Sequence, residues 1–134
     1  MVSPDTQNEI EEYLGTVPSW LEGVADPAAD HSWGIVRDFQ LGDSELSHRE
    51  KALVGLGAAA AIQCPYCIHF HTEEAKLEEA SEGDIEEAVS LAAGVRYFST
   101  VLHGMEVDQG AFVEETGSIV EHIKNQQAAA PSDD

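Results

Sequence analysis

Polar and apolar residues almost nowhere alternate in this chain, so no stretch carries the period of two that a half-buried strand requires. The apolar positions recur every three or four residues instead, most clearly at Ile85, Ala88, Ala92, Val95, Ser99 and Leu102. Glu, Ala and Leu dominate, which favours helix. Short helices are expected over 5–14 and 18–23, separated by Gly15-Thr16-Val17-Pro18, and another over 27–41, opened by Asp26-Pro27 and closed near Gly42. Ser47 followed by Glu50 forms a capping box and starts a helix to about Ile62. That helix is apolar all round in its second half, which predicts burial against close neighbours. Pro65 suits the first turn of the next helix, where its missing N–H is not needed. This helix should run to about Ala80. Ser81 with Asp84 caps another, ending near Gly104, and Asp108 opens a last helix to about Asn125.

The reading is therefore all-α: a single helical domain over residues 1–125, with 126–134 as a disordered acidic tail. A wholly apolar helix in so small a domain also points to a second subunit covering it, hence a homo-oligomer. At 134 residues the chain can bury a sizeable core without a disulfide or metal staple.

Charge narrows the partners. Six Lys and Arg face 26 Asp and Glu, a formal net charge of −20. Such a surface repels phosphate backbones and anionic membranes, so no nucleic-acid or membrane partner is expected. With 43% hydrophobic residues in a helical pattern, the charge does not signal disorder. The composition resembles that of proteins from salt-accumulating halophiles, in which dissolved salt screens self-repulsion. The longest apolar run, Ala52 to Ile62, is too short to span a bilayer. The N-terminus lacks a basic segment followed by an apolar one. A cytoplasmic location is expected, where a close Cys pair is redox-active or metal-binding more often than structural.

Cys64, Cys67 and His71 fall at i, i+3 and i+7, on one stripe of a helix that starts at Cys64. Two thiols so placed can close a disulfide across the first turn. The unpaired N–H groups and the dipole there stabilise thiolate. His71, one turn beyond Cys67, can take its proton. The tetrapeptide Cys64-Pro65-Tyr66-Cys67 is also the glutaredoxin motif, but no βαβ pattern surrounds it here, so the chemistry is shared and the fold is not. Two other readings of the same residues are an inert core pair and a metal site of Cys64, Cys67 and His71 completed by His69 or His103. We expect no bound metal or other cofactor.

The segment Leu46 to Gly104 resembles the core of the alkylhydroperoxidase D-like branch of the carboxymuconolactone decarboxylase family. The residues that carry this are the Ala-rich run Lys51 to Gln63, then Cys64-Pro65-Tyr66-Cys67 with His71, Thr72 and Ala75, and the acidic helix start Ser81 to Ala88. The resemblance implies an AhpD-like helical bundle, packing as trimers or hexamers. It implies a thiol-dependent peroxidase-like oxidoreductase that acts on a peroxide or disulfide and is reset by an external dithiol. Cys67 would be the peroxide-reactive thiol, His71 its base and Cys64 the resolving thiol. The family's proton-relay glutamate, twelve residues before the first cysteine, is Ala52 here. Glu50, about 200° around the helix from that position, and His48 are the nearest candidates to stand in. Without that glutamate a non-catalytic redox sensor or structural oligomer is the alternative function.

Overall fold

A computed structural model describes residues 1–130. The chain is all-α: α1 (Pro4–Leu14), a 3-10 turn (Ser19–Gly23), α2 (Asp26–Gly34), a π-helical stretch (Ile35–Gln40), α3 (His48–Ile62), α4 (Pro65–Leu77), α5 (Glu82–Gly104) and α6 (Gln109–Ala129). Contacts divide it into two units, Met1–Ala92 and a second that begins at Ala93, with the boundary inside α5. No helix among the described residues is long and apolar enough to cross a membrane.

The first unit starts from a small apolar core of Val2, Ile10, Leu21, Ala29 and Trp33. Ser3 caps α1 through its hydroxyl, with Pro4 in the first turn, and Gly15 ends the helix at φ 79°, a conformation that costs a residue with a side chain more than it costs glycine. Trp33 is 1% exposed and its indole N–H donates to Glu9. The expected helix over 27–41 changes its winding at Ile35: the Leu41 N–H bonds to the Val36 carbonyl, five residues back. The wider turn carries Arg37 onto Glu9, with Nη1 2.8 Å from Oε1, and sets Phe39 beneath the Lys51 ammonium, 5.5 Å from the ring centroid. Lys51 Nζ donates to the Phe39 and Gly42 carbonyls at 2.8 and 2.6 Å, tying this segment to α3.

The capping box forms as the sequence indicates. Ser47 Oγ accepts the Glu50 N–H and the Glu50 carboxylate accepts the Ser47 N–H at 2.7 Å. From there α3 buries Ala52, Leu56 and Ala59, a single i, i+4, i+7 stripe. Burying a leucine side chain contributes about 2 kcal/mol. The expectation that the second half of α3 is buried all round is not met within one chain, since Val54 and Ile62 are 62% and 72% exposed. Its small residues do serve close packing, against α4, which forms a hairpin with it.

Ser81 and Asp84 cap α5 reciprocally, and Asp84 also pairs with Arg49 of α3. The Ser81 backbone N–H, then Arg49, holds the Asp84 carboxyl at about 2. A carboxyl lowered in this way stabilises the fold at pH values above its unfolded pKa of about 3.9, and that stabilisation is lost as the pH falls towards 2. Asp84→Asn should therefore flatten the acid limb of stability between about pH 4 and pH 2. Urea midpoints measured across that range in concentrated salt would show it, and an unchanged slope would remove Asp84 from the acid response.

In the second unit Asp108 caps α6 by accepting the Ala111 N–H at 2.8 Å. The helix continues to Ala129, past the expected end at Asn125. Residues 126–129 thus belong to the helix and not to the tail, because Gln126, Gln127, Ala128 and Ala129 are all competent helix formers. Ala130 caps the helix in an extended conformation, and the rest of the expected tail, 131–134, lies outside the described residues.

Candidate functional site

The turn between α3 and α4 decides where the first cysteine sits. Gln63 adopts the left-handed conformation, φ 58°, and the Gln63 and Cys64 N–H groups bond back to Ala60 and Ala59. The chain reverses within two residues, and Cys64 becomes the N-cap of α4 with Pro65 at N1. Cys64 Sγ takes the place of the usual capping oxygen and accepts the Cys67 N–H at 3.4 Å.

Both cysteines are free thiols and partly exposed, and their environments differ in sign. The Cys67 backbone N–H, then the Cys67 side chain and the Tyr66 N–H, lower the Cys64 thiol from its ordinary value. The hydrogen bond to Cys64, then burial, pushes the Cys67 thiol up. These contacts favour the thiolate form at Cys64 and the protonated form at Cys67.

His71 lies one turn beyond Cys67. Its hydrogen bond goes to neither sulfur: Nδ1 is 2.7 Å from Glu74 Oε2. The two side chains are 17% and 9% exposed. Phe70 stacks edge-on against the imidazole, at 5.2 Å between centroids. On the other side the ring lies over Gly55 of α3. A cavity of about 210 Å³ opens on the His71 and Glu74 side chains, walled by Phe39, Leu46, Lys51 and Val54. The cysteines do not line it.

The two candidate relay groups sit elsewhere. The Glu50 carboxylate is held by Ser47, whose backbone N–H is the main cause of its lowered pKa, so it is a poor proton acceptor near neutrality. His48 lies between Asp43 and Glu78, its Nε2 3.0 Å from Asp43 Oδ1 without the alignment of a hydrogen bond. Ala52 is fully buried. His69 is exposed, and His103 belongs to the second unit, with its ring bonded to the Ser99 carbonyl at 2.7 Å. Among the described residues no three His, Cys, Asp or Glu side chains gather as metal ligands.

The sequence singled out neither Glu74 nor Gly55. Glu73 and Glu74 are adjacent and alike in sequence. The fold turns Glu73 outward to Lys76, at 2.9 Å, and Glu74 inward to His71. The i, i+3 spacing of His71 and Glu74 was the available signal. Gly55 read only as one of several small residues in α3.

Comparison with known proteins places the fold. One curated relative, "Uncharacterized protein 4 in cox locus" of Paracoccus denitrificans, is 36% identical over 61 residues, which cover 46% of this chain and 55% of that protein. The chain thus matches about half the length of that relative. Among solved structures, the alkylhydroperoxidase AhpD core from Rhodospirillum rubrum superposes with a TM-score of 0.68 at 22% identity, over 81% of this chain and 84% of that one. At that identity the likeness establishes a common fold. The profile of the carboxymuconolactone decarboxylase family matches residues 23–109, well over half of the chain, and the chain belongs to that family.

Proposed function

We propose that the chain is a thiol-dependent, peroxidase-like oxidoreductase that cycles the Cys64/Cys67 pair between dithiol and disulfide. The observation that carries this reading is Cys64 at the N-cap of α4, with its sulfur on the Cys67 N–H. A thiolate is stabilised there before any substrate arrives, and a second thiol stands one turn away. The likeness to an alkylhydroperoxidase core supports a peroxide as oxidant.

In the peroxide reaction the Cys67 sulfur attacks the distal peroxide oxygen and the O–O bond breaks. Cys67 becomes a sulfenic acid, and the alkoxide or hydroxide that leaves takes a proton. The Cys64 thiolate then attacks the sulfenic sulfur, forms the disulfide and releases hydroxide, which is protonated to water. Two thiols and one peroxide give one disulfide, one alcohol or water, and one further water. An external dithiol returns both electrons and both protons by exchange. His71 holds the Cys67 proton and returns it to the leaving oxygen. Neighbouring turns bring side chains to about 5–6 Å at Cβ, within reach of proton transfer directly or through one water.

A second entry point rests on the lowered Cys64 pKa. A thiolate at the N-cap favours opening a disulfide substrate at Cys64, with Cys67 resolving the mixed disulfide. Exposed Tyr66, Phe70 and Leu77 on α4 and Val54 and Ile62 on α3 support self-association of this unit. Cytoplasmic conditions, which keep thiols reduced, suit either cycle.

Consumption of hydrogen peroxide with dithiothreitol as reductant tests the reading. Turnover above that of dithiothreitol alone supports it; no turnover, together with no reduction of a small aromatic disulfide, defeats it. His71→Ala should slow the reaction about 100-fold, the lower range for a positioned acid–base group. It should also shift the pH profile of Cys67 alkylation upward, whereas an unchanged profile would take the histidine out of the mechanism.

A further inference from the structure

A histidine that serves as a base must present one nitrogen with a free lone pair, and a flexible imidazole in water interconverts between two tautomers. The surroundings of His71 remove that freedom from two sides. An ionised carboxylate can only accept a hydrogen bond, and the 2.7 Å pairing of Nδ1 with Glu74 Oε2 therefore assigns the hydrogen to Nδ1. That leaves Nε2 as the basic nitrogen. Glu74 is 9% exposed, and a carboxylate so enclosed and paired holds its partner more firmly than a surface one.

The ring can reach this position because α3 has no side chain where it lies. A Cβ on Gly55 would stand 2.6 Å from Cε1 and Nδ1 and 2.8 Å from Nε2 of His71. All three separations are shorter than any stable contact, so an alanine there would push the imidazole off its place. Gly57, two residues on in the same helix, differs: its nearest neighbour would be the Ala88 carbonyl oxygen at an ordinary 3.7 Å. Packing of α3 alone does not require a glycine at position 55, since alanine has the higher helix propensity.

We propose that Glu74 and Gly55 are positioning residues for the reaction of the Cys64/Cys67 pair. Glu74 fixes the His71 tautomer from its own helix, and Gly55 leaves the space in α3 that lets the ring meet it. The cavity beside Phe39 and Leu46 is lined by Gly55, His71 and Glu74 together. The inference deepens the redox reading and depends on it for its functional meaning. The ring geometry itself is tested without turnover. It also gives the pair a carboxylate although Ala52 offers none.

Nitrogen-15 NMR of the histidine rings in the full chain, in concentrated salt, with Glu74→Gln, Gly55→Ala and Gly57→Ala, is the test. The wild type should show His71 protonated at Nδ1. Glu74→Gln, whose amide can donate, and Gly55→Ala should each change that signature, and Gly57→Ala should not. The pH profile of Cys67 alkylation should move in the same two variants, with the rate near neutrality falling about tenfold, a part of what a positioned acid–base group contributes. A wild-type His71 protonated at Nε2, or ring signals untouched by both Glu74→Gln and Gly55→Ala, overturns the proposal. Ring signals that behave as expected beside thiols that never form a disulfide would instead overturn the redox reading.

Discussion

Cys67→Ser is expected to abolish peroxide consumption, and Cys64→Ser is expected to leave a single turnover that halts at a sulfenic acid on Cys67. Both expectations come from the start of α4. With serine at 67, the Cys64 thiolate keeps the backbone N–H groups that stabilise it, but the thiol that would complete the disulfide is gone. Any oxidation of Cys64 then stops without an intramolecular partner. With serine at 64, Cys67 loses the neighbour that raises its pKa. It should ionise more readily and react once, and no resolving sulfur would follow. The expected loss of steady-state rate is at least about 1000-fold in either variant, because a nucleophile and its resolving partner act as a unit. Dimedone labelling followed by peptide mass spectrometry separates the two outcomes. Label at Cys64 in the Cys67→Ser protein, and none at Cys67 in the Cys64→Ser protein, would reverse the roles and favour the entry point at Cys64.

The second large effect concerns salt. The net charge of −20 is met by few cations, and several of these are already committed: Arg37 to Glu9 and Asp38, Arg49 to Asp84, Lys76 to Glu73. Lys51 spends its charge on backbone carbonyls. Six basic residues cannot neutralise 26 acidic ones, so the acidic groups repel one another. The distance over which they repel shrinks from about 30 Å at 0.01 M salt to about 3 Å at 1 M. Transfer from molar salt to dilute buffer should lower the melting temperature by roughly 10 °C or more, about 3 kcal/mol for a chain of this size. Circular dichroism melts across a potassium chloride series would show it, and a melting temperature independent of salt would contradict it.

Much of the fold can be read from local chemistry. Ser47 with Glu50, Ser81 with Asp84, Asp108, Pro65 and Gly15 mark helix ends whose signals lie within four residues of each other, and the helices begin and end near them. The change of winding at Ile35 was not legible, because it joins residues that meet only in the fold, Arg37 with Glu9 and Phe39 with Lys51. A second subunit covering α3 was expected from its apolar sequence, but which residues their own chain leaves exposed, Val54 and Ile62, was not legible, because an apolar helix reads the same whichever chain covers it.

The site divides in the same way. Cys64, Cys67 and His71 are a spacing pattern on one helix, and spacing is what a sequence displays. Glu74 and Gly55 depend on a rotamer and on the approach of α4 to α3, which no spacing encodes. The opposite pKa shifts of the two thiols have different causes: the Cys67 backbone N–H lowers Cys64, while the side-chain hydrogen bond to Cys64 and burial raise Cys67. The sequence places both sulfurs in the first turn and leaves them equivalent. The family's glutamate position, Ala52, pointed to Glu50 and His48 as replacements, while the folded chain puts a different carboxylate on the histidine.

The most direct test of the central claim is a count of free thiols, by alkylation and intact-mass spectrometry, after one equivalent of hydrogen peroxide is added to the reduced wild-type protein in concentrated salt. The account predicts the loss of both alkylatable thiols in a species lighter by two hydrogens, with the Cys64–Cys67 disulfide found in one peptide. Two thiols that remain fully alkylatable would contradict it.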